Sequence, residues 1–156
     1  MCDGPGVRKN MQPQSTPAEQ DGSPQDLCEK LRSAGLRPTK QRLSLADLLF
    51  SKGNRHVSAE ALHEEALGAG VFVSLATVYN TLHQFTEAGL LRAVAVESSK
   101  TYFDTNTSDH HHFFIEDKNM VVDVPASHIT VSDLPAPPEG MEIARVDVIV
   151  RLREKS

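Results

Sequence analysis

Apolar residues at positions 75, 78, 82 and 85 form the most constraining pattern in the sequence. Steps of three and four residues place all four on one face of an α-helix, and that face must be buried. Ser74 precedes the pattern as a suitable N-cap, and Gly89 follows it as a stop. The pattern therefore predicts an amphipathic helix with one buried face and one polar face.

Three shorter helices are predicted before this one. The first begins near Asp26, the second spans 40–51, and the third follows an N-cap at Ser58. Two β-prone segments come next, 90–96 and 101–103, and the polar residues between them indicate a hairpin. Four helices followed by a hairpin is the order of a winged helix-turn-helix.

The rest of the chain predicts a second, smaller domain. Three further strands are predicted, at 112–116, 120–124 and 143–152. The segment 125–140 contains four prolines and is predicted as loop, while residues 1–24 contain four more and predict a disordered tail. The expected fold class is α+β, with an N-terminal winged helix-turn-helix at 25–104 and a small C-terminal α/β domain at 105–156 in which strands predominate.

Charge differs between the two halves of the chain, whose net charge is −5. Residues 25–92 carry eight Lys and Arg against seven Asp and Glu, whereas residues 93–156 carry six against eleven. This asymmetry indicates two domains with different partners, although chance variation in composition explains it equally well. No apolar run approaches the roughly 18 residues of a membrane span, and no signal peptide is recognisable, so a cytoplasmic protein without a membrane part is expected.

The polar face of the predicted helix at 75–87 is suited to reading DNA. Thr77, Asn80 and Gln84 lie on that face, and Tyr79 lies on its flank. Asn and Gln side chains can form paired hydrogen bonds with adenine, and Thr or Tyr can contact thymine methyl groups. The alternative is an ordinary solvated helix surface, and the following hairpin leaves the two interpretations in balance.

Three consecutive histidines, His110, His111 and His112, are the strongest indication of a metal site. In a strand, the first and third of them face one side and the second faces the other. Three carboxylates are near them in the sequence: Asp104, Asp109 and Asp123. Two imidazoles on one face with carboxylates nearby favour a divalent cation, whereas the alternative is a solvated polar run.

Four segments resemble regulators of the ferric uptake regulator (Fur) superfamily in order and spacing: Gly35-Leu-Arg-Pro-Thr-Lys-Gln-Arg42, His56-Val-Ser-Ala-Glu-Ala-Leu62, Leu75-Ala-Thr-Val-Tyr-Asn-Thr-Leu82 and Glu87-Ala-Gly-Leu-Leu91. The resemblance implies a DNA-binding transcription regulator, not an enzyme, that acts as a homodimer on AT-rich double-stranded DNA. It assigns dimerisation and sensing to 105–156 and a DNA contact to Tyr79. Phosphate contacts would then come from Lys40, Arg42 and Arg55.

The regulatory metal site of that family maps onto five residues of this chain: His56, Asp104, His110, His112 and Asp123. Their spacing is most similar to that of the peroxide-sensing branch. Three imidazole nitrogens and two carboxylate oxygens suit Fe(II), Mn(II) or Zn(II). Because His56 lies in the DNA-binding half and the others lie beyond it, the metal is expected to bridge the two domains and to fix their angle.

The chain departs from the family in its cysteines and at Asn80. Its two cysteines form no Cys-x-x-Cys pair, whereas most members hold a structural zinc with two such pairs, and many members carry Arg in place of Asn80. These departures resemble the iron response regulator branch of alphaproteobacteria. That branch implies control of iron and haem-synthesis genes when iron is limiting, release from DNA by haem, and the haem-synthesis enzyme ferrochelatase as a candidate partner. The candidate haem ligands are His63, His110, His111 and His112.

Two alternatives remain open at this point. One is a repressor of the same family that responds to Mn(II) or peroxide. The other is a small non-haem iron enzyme with a triad of His110, His112 and either Asp104 or Asp123. The short chain and the lack of an evident acid or nucleophile beside that triad argue against an enzyme.

Overall fold

The computed structural model describes residues 23–97 and 100–156. Its four α-helices are α1 (Pro24–Ser33), α2 (Lys40–Phe50), α3 (Ala59–Gly68) and α4 (Leu75–Glu87). Its six strands are β1 (His56–Val57), β2 (Arg92–Glu97), β3 (Lys100–Asp104), β4 (His110–Ile115), β5 (Met120–Pro125) and β6 (Ile149–Leu152). The predicted α+β class is confirmed, while residues 1–22 of the predicted disordered tail lie outside the described residues.

Each α-helix begins at a residue whose side chain caps it. Ser23, Thr39, Ser58 and Ser74 each accept a hydrogen bond from the backbone N–H three residues further on. Such caps satisfy N–H groups that the first turn of a helix leaves unpaired. The predicted N-caps at Ser58 and Ser74 are confirmed, and the cap at Ser23 starts α1 two residues before the predicted position.

The helices bury their apolar faces against one another. Val78, Leu82 and Phe85 of α4 are fully buried, which confirms the predicted stripe, and Leu75 at the start of the stripe is partly buried. The ring of Phe85 stacks on that of Phe50 in α2, with 6.3 Å between ring centroids. The face of α4 opposite this core is thereby left in solvent.

A three-stranded antiparallel sheet lies beside the helices, in the order β1, β3, β2. The predicted hairpin corresponds to β2 and β3. The two-residue strand β1 was not predicted, because a strand this short has no measurable alternation. It pairs His56 with Asp104 and Val57 with Phe103.

The second sheet has the order β5, β4, β6, with β4 antiparallel to β5 and parallel to β6. Residues 105–156 contain two short 3-10 turns and no α-helix, so the predicted α/β character of this part is wrong and it is all-β. The four prolines in 125–140 explain this, because each fixes φ and lacks a backbone N–H donor. The last strand also begins at Ile149 and not at position 143.

The two sheets meet through a small apolar cluster. Val94 and Val96 of β2 pack with Phe114 of β4 and Val121 of β5. These residues come from both halves of the chain, so burial of their surface holds the second sheet against the hairpin. Among the described residues, no helix combines the length and the apolar character needed to cross a bilayer.

Candidate metal centre

The first two residues of the centre are brought together by the sheet next to the helices. His56 lies in β1 and Asp104 ends β3, and the two are directly opposite each other in the antiparallel register. The Asp104 side chain is fully buried, and His56 is partly buried. A local feature that the sequence did not reveal, strand β1, therefore sets the position of His56.

The second sheet supplies the other three residues. His110 and His112 in β4 both point into the centre and are buried, and His112 is paired in register with Asp123 of β5. His111 faces the other side of the strand, where its Nδ1 accepts the backbone N–H of Val148 at 3.2 Å. His110 and His112 thus face one side of β4 and His111 the other, as the sequence predicted.

One ligand atom from each of the five residues lies within 4.8 Å of all the others. Oδ2 of Asp104 is 3.0 Å from Nε2 of His56 and 2.6 Å from Nε2 of His110. It is also 3.0 Å from Nε2 of His112. Oδ1 of Asp123 is 2.7 Å from Nε2 of His56 and 3.2 Å from Nε2 of His110.

Backbone groups orient two of these side chains. Nδ1 of His110 lies 2.6 Å from the carbonyl oxygen of Ser108, and because a carbonyl only accepts, Nδ1 carries the proton. The other ring nitrogen, Nε2, faces the centre, where a metal ion could take the place of a proton. Oδ1 of Asp104 accepts the backbone N–H of Asn106 at 2.9 Å, which leaves Oδ2 directed at the imidazoles. Supports of this kind are typical of metal ligands.

Two buried atoms of the centre have no hydrogen-bond partner: Nε2 of His56 and Oδ1 of Asp123. They lie 2.7 Å apart, but their relative orientation does not form a hydrogen bond. A buried polar atom without a partner is costly, and a cation bound to both atoms would remove that cost. The centre therefore fits a divalent metal, and its mixed nitrogen and oxygen donors suit Fe(II), Mn(II) or Zn(II).

The carboxylates and the His56 imidazole of the centre shift one another's pKa values. Burial by itself would lower the pKa of His56, but the carboxylates of Asp104 and Asp123 outweigh it and raise that pKa. Burial would likewise raise the pKa of Asp104, but the hydrogen bond from His112 and the charge of the neighbouring His56 ring hold that pKa far below its usual range. A metal ion bound here must displace any proton on the His56 ring, because only the neutral imidazole is a ligand.

The predicted DNA-reading residues lie along the outer side of α4. Asn80 and Gln84 are exposed, and Tyr79 is 36% exposed and donates a hydrogen bond of 2.6 Å to Glu60 of α3. Thr77 is partly buried, and its hydroxyl lies 2.9 Å from the Ser74 hydroxyl, so it belongs to the helix cap as much as to the outer surface. Sequence reasoning did not identify Glu60, because no pattern along the chain links α3 to α4.

The three predicted phosphate-binding cations differ in their surroundings. Lys40 is exposed at the first position of α2. Arg42 donates a hydrogen bond of 3.0 Å to Gln84 and so connects α2 to the outer side of α4. Arg55 forms a two-point ion pair with Glu65, at 2.9 and 2.5 Å, so its charge is already balanced within the protein.

The predicted haem ligands are not gathered in one place. Nε2 of His63 lies 3.0 Å from the carbonyl oxygen of Val73, between α3 and the start of α4. His63 and His111 are both outside the five-residue cluster. His110 and His111 border a separate open cavity of about 290 Å³, which Arg145 and Arg92 also line.

Fold and site together define a class of small α+β proteins in which a buried cluster of His and Asp joins a helical half to a C-terminal sheet. The profile of the ferric uptake regulator family matches residues 33–151, and the chain belongs to that family. The family consists of transcription regulators and not of enzymes, which agrees with the prediction that the chain is not an enzyme.

Related proteins support this assignment. The ferric uptake regulation protein of Shigella flexneri is 42% identical over 82 residues, which are 53% of this chain and 55% of that protein. The corresponding protein of Bordetella parapertussis is 36% identical over 86 residues, which are 55% of this chain and 62% of that protein. The chain thus spans about half the length of the curated relatives that it matches.

Solved structures agree over a longer stretch. The ferric uptake regulator of Pseudomonas aeruginosa, determined with manganese, has a TM-score of 0.65 and 28% identity, and the match covers 83% of this chain and 98% of that one. The regulator of Vibrio cholerae has a TM-score of 0.64 and 24% identity, and the match covers 81% and 98% of the two chains. At 24% identity, the match to the Vibrio cholerae regulator shows only that the two chains share a fold.

Proposed function

We propose that this chain is a metal-responsive, DNA-binding regulator of iron homeostasis that acts as a homodimer in the cytoplasm. The observation that carries the proposal is the buried cluster of five ligand atoms, drawn from β1 and β3 on one side and from β4 and β5 on the other. Residues 25–104 would form a winged-helix domain, and 105–156 would serve dimerisation and sensing. A cation held between the two sheets would fix the angle between these parts.

The proposed metal is Fe(II), Mn(II) or Zn(II), bound by His56, Asp104, His110, His112 and Asp123. The fixed tautomer of His110 and the two unpaired buried atoms support this proposal. The structure of the Pseudomonas aeruginosa relative was determined with manganese, which favours Mn(II) as a test ion.

The proposed DNA-reading element is α4, with Tyr79, Asn80 and Gln84 directed at an AT-rich operator. Exposed amide side chains on the outer face of a helix are able to read adenine. The hairpin β2–β3 would then act as the wing. Lys40 and Arg42 are available for phosphates, while Arg55 would have to exchange its pair with Glu65 for a phosphate.

The effector that we propose is haem, which would release the protein from DNA when iron is plentiful. The support is the likeness to the iron response regulator branch: a run of three histidines, no Cys-x-x-Cys pair, and Asn80. His111 borders an open cavity that Arg145 also lines, so an imidazole and a cation face the same space for an anionic ring ligand. His63 is the second candidate ligand, and ferrochelatase is a proposed partner because it handles haem.

A second candidate function is a repressor that responds to Mn(II) or peroxide and not to haem. The observation that favours it is that the five-residue cluster offers a complete donor set without His63 or His111. In that case the histidine run serves one metal ion, and the cavity beside His111 has no role in sensing.

One experiment separates these functions. Affinity for an AT-rich inverted repeat is measured by fluorescence anisotropy for the metal-free protein and after addition of Fe(II), Mn(II) or haemin. The proposed function predicts tighter binding with Mn(II) and weaker binding with haemin. A response to Mn(II) without a response to haemin would establish the second candidate, and indifference to all three would exclude both.

A further inference from the structure

The side chain of Tyr79 is held from two directions. Its hydroxyl donates a hydrogen bond of 2.6 Å to Oε1 of Glu60. Its ring stacks on that of His83, with 6.4 Å between centroids and 20° between planes. A phenol ring fixed at its hydroxyl and at one face has few orientations left, even though it is on the surface.

His83 lies in α4, one turn after Tyr79, and contacts the strand that carries Asp104. Its ring meets the edge of Phe103 with 5.7 Å between centroids and 84° between planes. Phe103 is 1% exposed and directly precedes Asp104 in β3. An edge contact between the buried Phe103 and the exposed His83 ring therefore links the residue next to Asp104 with α4.

Glu60 is connected to the metal centre through the strand that precedes its helix. It lies in the first turn of α3, and Ser58, the cap of that helix, directly follows the strand that carries His56. Ala59 at the start of α3 is 1% exposed, so the beginning of the helix is fixed in the core. Of the two partners of Tyr79, His83 in α4 thus contacts β3, the strand that carries Asp104, and Glu60 lies in the helix that follows β1, the strand that carries His56.

Open space lies beside Tyr79. A cavity of about 350 Å³ is lined by Glu60 and Tyr79 from the helices and by Lys100 and Tyr102 from β3. A tyrosine released from Glu60 and His83 has room to turn into this cavity. Two arrangements of the ring are therefore sterically available, one held and one released.

We infer that Glu60 and His83 are positioning residues that couple occupancy of the metal cluster to the orientation in which Tyr79 meets DNA. The inference rests on the proposed function and extends it to two residues outside the metal cluster, one in α3 and one in α4 itself. A cation that draws β1 and β3 towards β4 and β5 sets the positions of both partners and, through them, the ring. Coupling requires that the cation bind more tightly when Tyr79 is held.

The first test compares operator affinity with and without Mn(II) for the wild type, Glu60→Ala and His83→Ala. Both variants should lower the ratio of the Mn(II)-bound to the metal-free affinity by about two- to thirtyfold. The ratio cancels the direct effect of removing a negative charge near DNA, because that charge is absent in both states. Glu64→Ala is the matched control, since it removes an exposed carboxylate one turn further along α3, and it should keep the wild-type ratio.

The second test measures the pKa of Tyr79 in the absence of DNA. The chain has two tyrosines and no tryptophan, so Tyr102→Phe leaves Tyr79 as the single phenol. The hydrogen bond to Glu60 raises the pKa of Tyr79. Spectrophotometric titration of the Tyr102→Phe protein should show a lower Tyr79 pKa after Glu60→Gln and an unchanged one after Glu64→Gln.

The outcomes separate the inference from the proposed function. A wild-type protein whose DNA affinity is unchanged by Mn(II), Fe(II) and haemin would contradict the proposed function, and the inference would fall with it. A wild-type protein that responds, with both variants responding equally, would overturn the inference and leave the proposed function standing. An unchanged Tyr79 pKa in Glu60→Gln would also overturn it.

Discussion

At the residue scale, the decisive side chain is Asp104, a carboxylate with 0% exposure surrounded by three imidazoles. A carboxylate in that position is stable only if a positive charge is near it. The protein can supply that charge by protonating histidines or by binding a cation. Metal affinity should therefore fall as the pH is lowered and the imidazoles take up protons.

The two faces of β4 give a direct test of the metal centre. His110→Ala removes a buried ligand and should abolish binding of one Mn(II) per chain in isothermal titration calorimetry. His111→Ala is the matched control, because it removes an imidazole from the opposite face, and it should retain that equivalent. Equal losses in the two variants would show that the run binds metal as a flexible cluster, contrary to the strand geometry.

Asn80 gives the corresponding test of DNA reading. Asn80→Ala should cost roughly 1–3 kcal/mol of discrimination at one base pair and little at the others, because a single amide reads a single adenine. Competition with operators that carry single base changes measures this. A uniform loss over all base pairs would mean that Asn80 contacts the DNA backbone instead.

At the element scale, α4 depends on its cap as well as on its buried stripe. Ser74 accepts the backbone N–H of Thr77 at 3.1 Å, so Ser74→Ala should lower the free energy of unfolding by about 1 kcal/mol in urea titrations. Ser132→Ala, in an exposed segment without regular secondary structure, is the control and should change stability by less than about 0.5 kcal/mol. Equal effects would mean that the cap does not support the helix.

Elements with a local pattern were predictable from the sequence, and elements without one were not. The stripe at 75–85 and the alternation at 110–112 are short-range features, and both appear in the structure. Strand β1 has two residues and forms only because β3 is beside it. The contact between Glu60 and Tyr79 spans 19 positions and depends on how α3 packs against α4, which no local pattern encodes.

At the scale of the whole molecule, a buried arginine ties the hairpin to the segment before the last strand. Arg92 is 5% exposed, pairs with Asp147 and donates a hydrogen bond of 3.0 Å to the carbonyl oxygen of Ser108. Burial by itself would raise the pKa of Asp147, but hydrogen bonds from Arg92 and Arg145 hold that pKa below its usual value. The stabilisation from this pair is therefore present above the unfolded pKa of about 4 and is lost as the pH falls through the lower folded value.

Asp147→Asn should lower the free energy of unfolding by about 1 kcal/mol at neutral pH, a modest value because Asp147 is 42% exposed and screened by solvent. The difference from the wild type should shrink as the pH falls below about 4. Urea unfolding at several pH values measures it, and Asp133→Asn, in an exposed loop, is the control. A difference that does not change with pH would contradict the assigned ion pair.

The two sheets are connected in two ways, one independent of a metal and one dependent on it. The apolar cluster around Phe114 and the pair between Arg92 and Asp147 hold them together without a metal. The five-residue centre adds a connection that depends on a cation. Its occupancy should therefore adjust the angle between the halves without being required for folding.

The most direct measurement is the DNA affinity of wild-type protein and of Asp123→Ala with and without Mn(II), by fluorescence anisotropy on the same operator. Asp123 is the cluster ligand that lies in β5 and away from α4, so its removal leaves the DNA-reading surface in place. Mn(II) should tighten wild-type binding by about five- to 150-fold and leave the affinity of the variant unchanged. An Asp123→Ala protein that responds to Mn(II) as strongly as the wild type would contradict this prediction.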